Sequence, residues 1–356
     1  MESKVSVVIA TYNRPKLLIR AIQSVEAQTA LPQEILVIGD NCSPETQSAL
    51  SEHETSLCIR YVNLNFRCGE QSIPNRVGSD MANGKVVAFL NHDDVWLPSH
   101  LEAGLKAMKD NASPWFVGRC AFFEGIRETS GLLAATGTTP VKRDLKRAFR
   151  AIDTYFEPAS SWIVTKEILQ SVPWRPASSV HRTPLADIAI RICRRFGDPA
   201  ILPEPTVLKV MGPNSEKHSY VGESEISQRI SELVATRNPE WQSTLLLDAE
   251  ESKQRTMPRS SLHVGKYARI TKLLSGQIWL KIYQVFGFDG LGRHSSRVLG
   301  GNQRMFSTLL QERTGEKFIQ DKHILKKLDS SELSTQYFGE HDGCKCSQLI
   351  CRSHSR

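Results

Sequence analysis

The stretch that decides the fold is Gly84-Lys-Val-Val-Ala-Phe-Leu-Asn-His-Asp-Asp-Val-Trp-Leu-Pro98. Residues 86–90 form an unbroken apolar run of strand length, the pattern of a strand covered on both faces. The run stops at Asn91-His92-Asp93-Asp94, and Pro98 prevents an immediate return to regular structure. Two adjacent carboxylates at the end of a buried strand repel each other, and their burial is costly without a compensating cation. A divalent metal bound to a phosphorylated ligand would supply that charge. In open α/β sheets the same end of the strands is where ligands sit. An isolated Asp-Asp also reads as a plain polar turn, so the meaning of this one depends on its setting.

That setting is a repeated strand–helix alternation. Residues 5–10 (VSVVIA) form a β-branched run, and Pro15 opens a helix whose apolar residues Leu17, Leu18, Ala21, Ile22 and Val25 recur at helical steps. Residues 34–38 (EILVI) make a second buried strand that ends in Gly39-Asp40-Asn41-Cys42-Ser43, where Ser43 is a candidate N-cap. Residues 59–64 give a third strand, and a helix over about 73–83 leads into the strand at 86–90. Such alternation predicts a mostly parallel central sheet flanked by helices. Further on, helices are expected at 101–108, 166–171 and 187–196. Strands are expected at 115–124, 160–164 and 201–210. Beyond about residue 221 the composition turns to Ser, Glu, Gln and Arg.

Composition narrows the function classes. The chain has 356 residues and a net charge of +7, which suits anionic partners such as nucleotide phosphates or anionic lipid surfaces. No recognition motif or dense basic helix points to nucleic acid. The start lacks the pattern of a secretory signal, and no segment reaches the length needed to span a bilayer. The eight cysteines are accordingly expected as reduced thiols in a cytoplasmic protein. There is no Gly-x-Gly-x-x-Gly after the first strand and no Walker loop.

The individual strand ends carry the chemistry. Thr11-Tyr12-Asn13-Arg14 joins a strand to a helix N-terminus, where backbone N–H groups and the helix dipole favour an anion. Asp40 ends the second strand and is placed to accept hydrogen bonds from a ligand, or to serve as a loop cap. Asp187 lies near the start of a helix that carries Arg191.

Taken in order, VSVVIATYNRP (5–15), SVEAQT (24–29), EILVIGDNCS (34–43), PNRVG (74–78) and AFLNHDDVWLP (88–98) resemble the nucleotide-binding half of family 2 glycosyltransferases. The likeness is strong over residues 5–110, faint over 155–210, and does not extend to the final 130 or so residues. It implies a GT-A-like α/β domain over residues 1–220, with a nucleotide-binding half (1–110) and an acceptor half (111–220). A mainly helical C-terminal extension (221–356) would follow, frayed from about residue 335.

The resemblance also implies roles. Thr11, Tyr12 and Arg14 would contact the nucleoside diphosphate of a sugar donor. Asp40 would hold the base, and Asn75 and Arg76 would lie near the donor. Asp93 matches the last acid of the family's Asp-x-Asp motif, which binds Mg²⁺ or Mn²⁺ bridging the two phosphates. Asn91 replaces the first acid of that motif, and Gly39 replaces the first acid of the pair that Asp40 completes. The general base is expected at Asp187, although alignment on Arg191 puts Leu185 at the family's usual base position; His181 is the alternative in the same loop.

The implied activity is inverting transfer of a sugar from a nucleotide-sugar donor to a glycan or lipid-linked hydroxyl acceptor. A nucleotidyltransferase and a non-catalytic sugar-nucleotide or glycan-binding module stand as alternatives. Residues 273–287, with Trp279, Tyr283 and Phe286, read as a core-packing helix or as a peripheral membrane contact. Cys344, Cys346, Cys351, His341 and His354 match no standard zinc spacing.

Overall fold

The computed structural model describes residues 4–139, 158–177, 180, 183–211, 224–247 and 335–338. Fourteen strands and seven α-helices follow one another among them. The first half runs β1 (Val5–Thr11), α1 (Pro15–Glu26), β2 (Glu34–Gly39), α2 (Pro44–Glu52), β3 (Ile59–Asn63), α3 (Ser72–Met81), β4 (Val86–Asn91), β5 (Asp94–Trp96) and α4 (His100–Asp110). Then come β6 (Trp115–Val117), β7 (Arg119–Glu124), β8 (Glu128–Thr129), β9 (Leu132–Ala134) and β10 (Gly137–Thr138). A 3₁₀ turn at Ala159–Ser161 precedes β11 (Trp162–Thr165), α5 (Lys166–Ser171), α6 (Pro184–Phe196) and β12 (Pro205–Met211). The remainder is α7 (Glu225–Ala235), a 3₁₀ turn at Pro239–Thr244, β13 (Leu245–Leu246) and β14 (Thr335–Phe338).

The main sheet has seven strands in the order β14-β3-β2-β1-β4-β11-β6. β3, β2, β1 and β4 are mutually parallel, whereas β14, β11 and β6 join antiparallel. The chain winds outward from β1 through β2 to β3, then returns to place β4 on the other side of β1. The carboxyl ends of β1 and β4 therefore flank a topological switch point. Those ends are Thr11 and Asn91, the two segments singled out from sequence.

Alternation along the strands builds a core on each face. Val7, Ile9, Ile35, Val37, Ala88 and Leu90 pack against α1 and α4 through Leu18, Ile22, Val25 and Leu101. Val8, Leu36, Ile38, Val87 and Phe89 pack against α3, α5 and α6 through Ile73, Val77, Ile168 and Ile188. This two-sided burial explains why residues 86–90 have no polar alternation.

Two expectations need correction. The strand foreseen over 115–124 breaks at Gly118, where the chain leaves the main sheet (β6) for a second sheet ordered β10-β7-β12-β5. The Gly118 N–H donates to the Ser161 carbonyl at 2.7 Å, and a Cβ there would come within 2.4 Å of Thr206 Oγ1. The helix foreseen from Asp187 begins at Pro184, because Thr183 Oγ1 accepts from the Ala186 N–H and Pro184 fits the first helical position.

At residues 335–338, β14 pairs with β3 and covers a sheet edge. Helix α7 shares a core with β5, β7 and β12. His181, residues 273–287 and the Cys344–Cys346–Cys351 group lie outside the described residues.

Gly78, in the PNRVG segment, is a packing residue: a Cβ on it would meet Val8 Cγ1 at 2.4 Å. Gly78→Leu should cost about 1–3 kcal/mol through overpacking, read as a lower urea midpoint. An unchanged midpoint would show that α3 does not press on β1 this closely.

Candidate functional site

The β1 and β4 ends converge through backbone and electrostatic contacts. Residue 13 turns the chain out of β1 in the left-handed region (Asn13 φ 44°), and its Oδ1 accepts the Ser43 N–H at 2.8 Å, clasping the β1 and β2 loops together. The Asp40 N–H donates to the Thr11 carbonyl at 2.9 Å. His92 Nδ1 stands 3.2 Å from the Ala10 carbonyl. Since a carbonyl only accepts, Nδ1 carries the proton and Nε2 presents a lone pair when the ring is neutral. Burial pushes the His92 pKa below its ordinary value, favouring that neutral ring.

Asp93 and Asp94 have different surroundings. The Asp94 side chain is fully buried and saturated: Lys209 Nζ lies 3.0 Å from Oδ1, while Ser160 Oγ (2.5 Å) and Asn91 Nδ2 (3.1 Å) donate to Oδ2. The Asn91 N–H in turn donates to Ser160 Oγ at 2.9 Å. Burial lifts the Asp94 carboxyl above the usual carboxylate range, against the pull of Lys209. Asp93 makes no such closed set. Burial would raise its carboxyl too, but nearby cations, above all Lys209 and then Arg14 and Arg20, hold it down to about 2. Its carbonyl accepts from Arg20 Nη2 at 2.8 Å.

Asn91 is thus a donor in a network and not a displaced ligand. A carboxylate at position 91 would stand where an amide nitrogen now lies 3.1 Å from an Asp94 oxygen, a like-charge contact of the kind that destabilises a buried site.

The other expected residues divide. Tyr12 lies under the Arg67 guanidinium, 3.7 Å from ring centre to Cζ, a cation–π contact beside the β1 end. Both Asp40 oxygens accept from the 67–71 loop, from the Cys68 N–H at 2.5 Å and the Gly69 N–H at 2.8 Å. Burial raises the Asp40 pKa despite those bonds. The neighbouring Glu70 is pushed up to about 7 by burial, with the Asp40 charge adding to the shift.

Thr11 Oγ1 and Asn75 Nδ2 are buried polar atoms with no hydrogen-bond partner among the described residues. Arg76 pairs loosely with Asp80 at 3.8 Å on the outside of α3. Asp187 is not bonded to the strand-end group: Arg191 Nη2 lies 2.7 Å from Oδ2, and Arg175 Nη1 3.9 Å from Oδ1.

Sequence reading missed Lys209, Ser160, Arg20 and Arg67. Lys209 did leave a signal, being a lone cation inside an otherwise apolar strand (TVLKV, 206–210). Ser160 and Arg20 reach the site only through tertiary contacts. Among the described residues, no group of three or more His, Cys, Asp or Glu side chains comes together as a metal site.

Residues 6–172 match the model of the family described as Glycosyl transferase family 2. The match takes in the parallel strands β1 to β4 and runs on to the end of α5. It is 32% identical over 119 residues to a Campylobacter jejuni GalNAc(5)-diNAcBac-PP-undecaprenol beta-1,3-glucosyltransferase, covering 33% of this chain and 38% of the relative. A Staphylococcus aureus poly(ribitol-phosphate) beta-N-acetylglucosaminyltransferase, TarP, is 31% identical over 120 residues, covering 33% of this chain and 36% of that protein. The chain thus spans well under half the length of either relative. Among solved structures, S. aureus TarS 1–349 in complex with UDP-GlcNAc aligns with a TM-score of 0.49 at 15% identity, covering 95% of this chain and 100% of that one.

The Lys209–Asp94 pair is the electrostatic keystone of the strand ends, and its removal has a calculable sign. Asp93, held down to about 2, contributes stability that is complete above its unfolded value of 3.8 and is lost as pH falls from there to about 2. The raised Lys209 contributes stability present below the unfolded lysine value and lost only as pH climbs through the folded one. Lys209→Met should therefore cost about 3–5 kcal/mol at neutral pH, and the cost should shrink below about pH 4 as the carboxyls protonate. Urea denaturation at the two pH values checks this; an equal cost at both would contradict it.

Proposed function

We propose that the protein is a glycosyltransferase that moves a sugar from a nucleoside-diphosphate donor to a hydroxyl of a phosphate-bearing glycan or lipid-linked acceptor. The observation that carries this reading is the convergence of the Thr11–Arg14 turn and the Asp93 carboxylate at the switch point of the main sheet, in a chain that matches the family 2 model over residues 6–172. Arg14 and the amide end of α1 supply positive potential for a diphosphate. Thr11 Oγ1 and Asn75 Nδ2, buried without partners among the described residues, are polar atoms that a donor would satisfy.

A divalent cation fits this donor set. Mg²⁺ and Mn²⁺ take one or two carboxylates together with substrate phosphates and do not need an all-protein cage. Asp93 would hold it, since Asp94 is committed to Lys209, Ser160 and Asn91. When bound, such a cation neutralises charge on the departing diphosphate. Arg14 and the α1 N-terminus orient the phosphates. The Tyr12 ring, braced by Arg67, and the loop that Asp40 anchors form the wall on the nucleoside side.

Transfer is proposed as one in-line displacement with inversion. Asp187 is the proposed base, and it can take the acceptor proton only when its ion pair with Arg191 opens.

Both named relatives act on phosphate-bearing acceptors by their titles, and the net charge of +7 suits such a partner. An acceptor linked to PP-undecaprenol would bring the reaction to a membrane surface. We place it at the cytoplasmic face, the chain acting as a peripheral protein.

A second reading is a non-catalytic sugar-nucleotide or glycan-binding module. It draws support from the engaged Asp187 and from Leu185 at the family's usual base position.

A screen of donor hydrolysis across UDP- and GDP-sugars with Mn²⁺ separates the two. Slow hydrolysis of one donor is expected, falling about a hundredfold or more in Asp93→Ala, a loss on the scale of removing a direct transition-state contact. Tight nucleotide binding with no hydrolysis and no transfer to any acceptor would favour the binding module. Undiminished hydrolysis in Asp93→Ala would remove Asp93 from the donor site.

A further inference from the structure

We propose that Arg20 is a positioning residue: its guanidinium ties the carbonyl of Asp93 to Ser227 on α7, so that a helix outside the matched 6–172 stretch holds the diphosphate-facing loop in place. The inference rests on the donor reading of that loop.

Arg20 is 2% exposed, on the flank of α1 away from the apolar residues that pack on the sheet. Its Nη2 donates to the Asp93 carbonyl at 2.8 Å. Its Nη1 donates to Ser227 Oγ at 2.7 Å and to the Ser227 carbonyl at 3.2 Å. A planar guanidinium can serve two acceptors in fixed directions at once, and a lysine ammonium cannot reproduce that fork. The tie is made to the backbone of residue 93, so it constrains the position of the carboxylate without using it up.

α7 also braces the same loop from behind. Ile226, Ile230 and Val234 share a core with Val95, Leu97 and Leu208. Val95 follows Asp94 in β5, and Leu208 precedes Lys209 in β12. Successive side chains of a strand point to opposite faces. One face of the β5–β12 pair therefore carries the Asp94–Lys209 ion pair, and the other rests on α7. A second anchor lies at the far end of the helix, where Arg237 Nε meets Glu26 Oε2 at 3.1 Å. That anchor holds α7 to α1 but touches nothing at residue 93, which makes it the natural control.

The test is calorimetric titration of the full chain with UDP in the presence of Mn²⁺, beside thermal melts of each variant. Arg20→Met is expected to weaken UDP binding about ten- to a hundredfold, the range for groups that orient a ligand-bearing residue. Arg20→Lys should fall between wild type and Arg20→Met. Arg237→Ala should lower the melting temperature yet keep wild-type UDP affinity.

If Arg20→Met does not fold, Ser227→Ala, which removes one acceptor and leaves the carbonyl, decides the matter by a several-fold loss of affinity. Wild-type affinity in Arg20→Met or in Ser227→Ala, or an equal loss in Arg237→Ala, would overturn the proposal by showing that Arg20 only stabilises the fold. Failure of wild type to bind UDP or any other nucleoside diphosphate would instead overturn the donor reading, and this inference with it.

Discussion

Everything at the strand ends depends on one buried ion pair, Lys209 with Asp94. Two consecutive carboxylates at the end of a strand covered on both faces cannot both stay ionised without nearby positive charge. Lys209 provides it from β12, a strand that enters the second sheet more than a hundred residues later in the chain. Asp94 completes its bonding with Ser160 and Asn91, and so ceases to be a ligand for anything else. Asp93, one residue away, benefits from the same lysine but keeps its carboxylate uncommitted within this network. The strand end thereby separates a fully bonded acid from one left uncommitted by this network.

This division gives Asn91 a physical meaning. As a departure from the Asp-x-Asp pattern it looks like a weakened metal motif. In the folded chain its amide donates to Asp94 and its backbone N–H to Ser160, so it closes the anchoring network. In the proposed donor site, the protein side of a metal site would be one carboxylate, which suits a cation whose remaining ligands come from a diphosphate and water. The same logic places weight on Arg20, which fixes Asp93 through its carbonyl and leaves the carboxylate alone.

The central parallel strands and the two segments flanking the switch point were legible in sequence because each is a local signal. A β-branched run, a helix-opening proline and a polar strand end can all be read within a dozen residues. The break at Gly118 was not legible, because it depends on Ser161 and Thr206 arriving from distant parts of the chain. Asp187 illustrates the limit at the site. It lies in the first turn of its helix, four residues before Arg191, and that spacing is what lets the two side chains pair at 2.7 Å. Lys209, Ser160 and Arg20 reach the strand ends only through long-range packing, so only the folded chain reveals them.

We propose that the protein offers a divalent cation a single uncommitted carboxylate, Asp93, and that a nucleoside diphosphate completes the site. Electron paramagnetic resonance of Mn²⁺ tests this directly. With protein alone the free-ion signal should remain nearly intact. With protein and UDP together it should fall well beyond what UDP alone causes, and Asp93→Asn should abolish that extra loss. Full Mn²⁺ binding without nucleotide, or an extra loss that survives Asp93→Asn, would contradict the account.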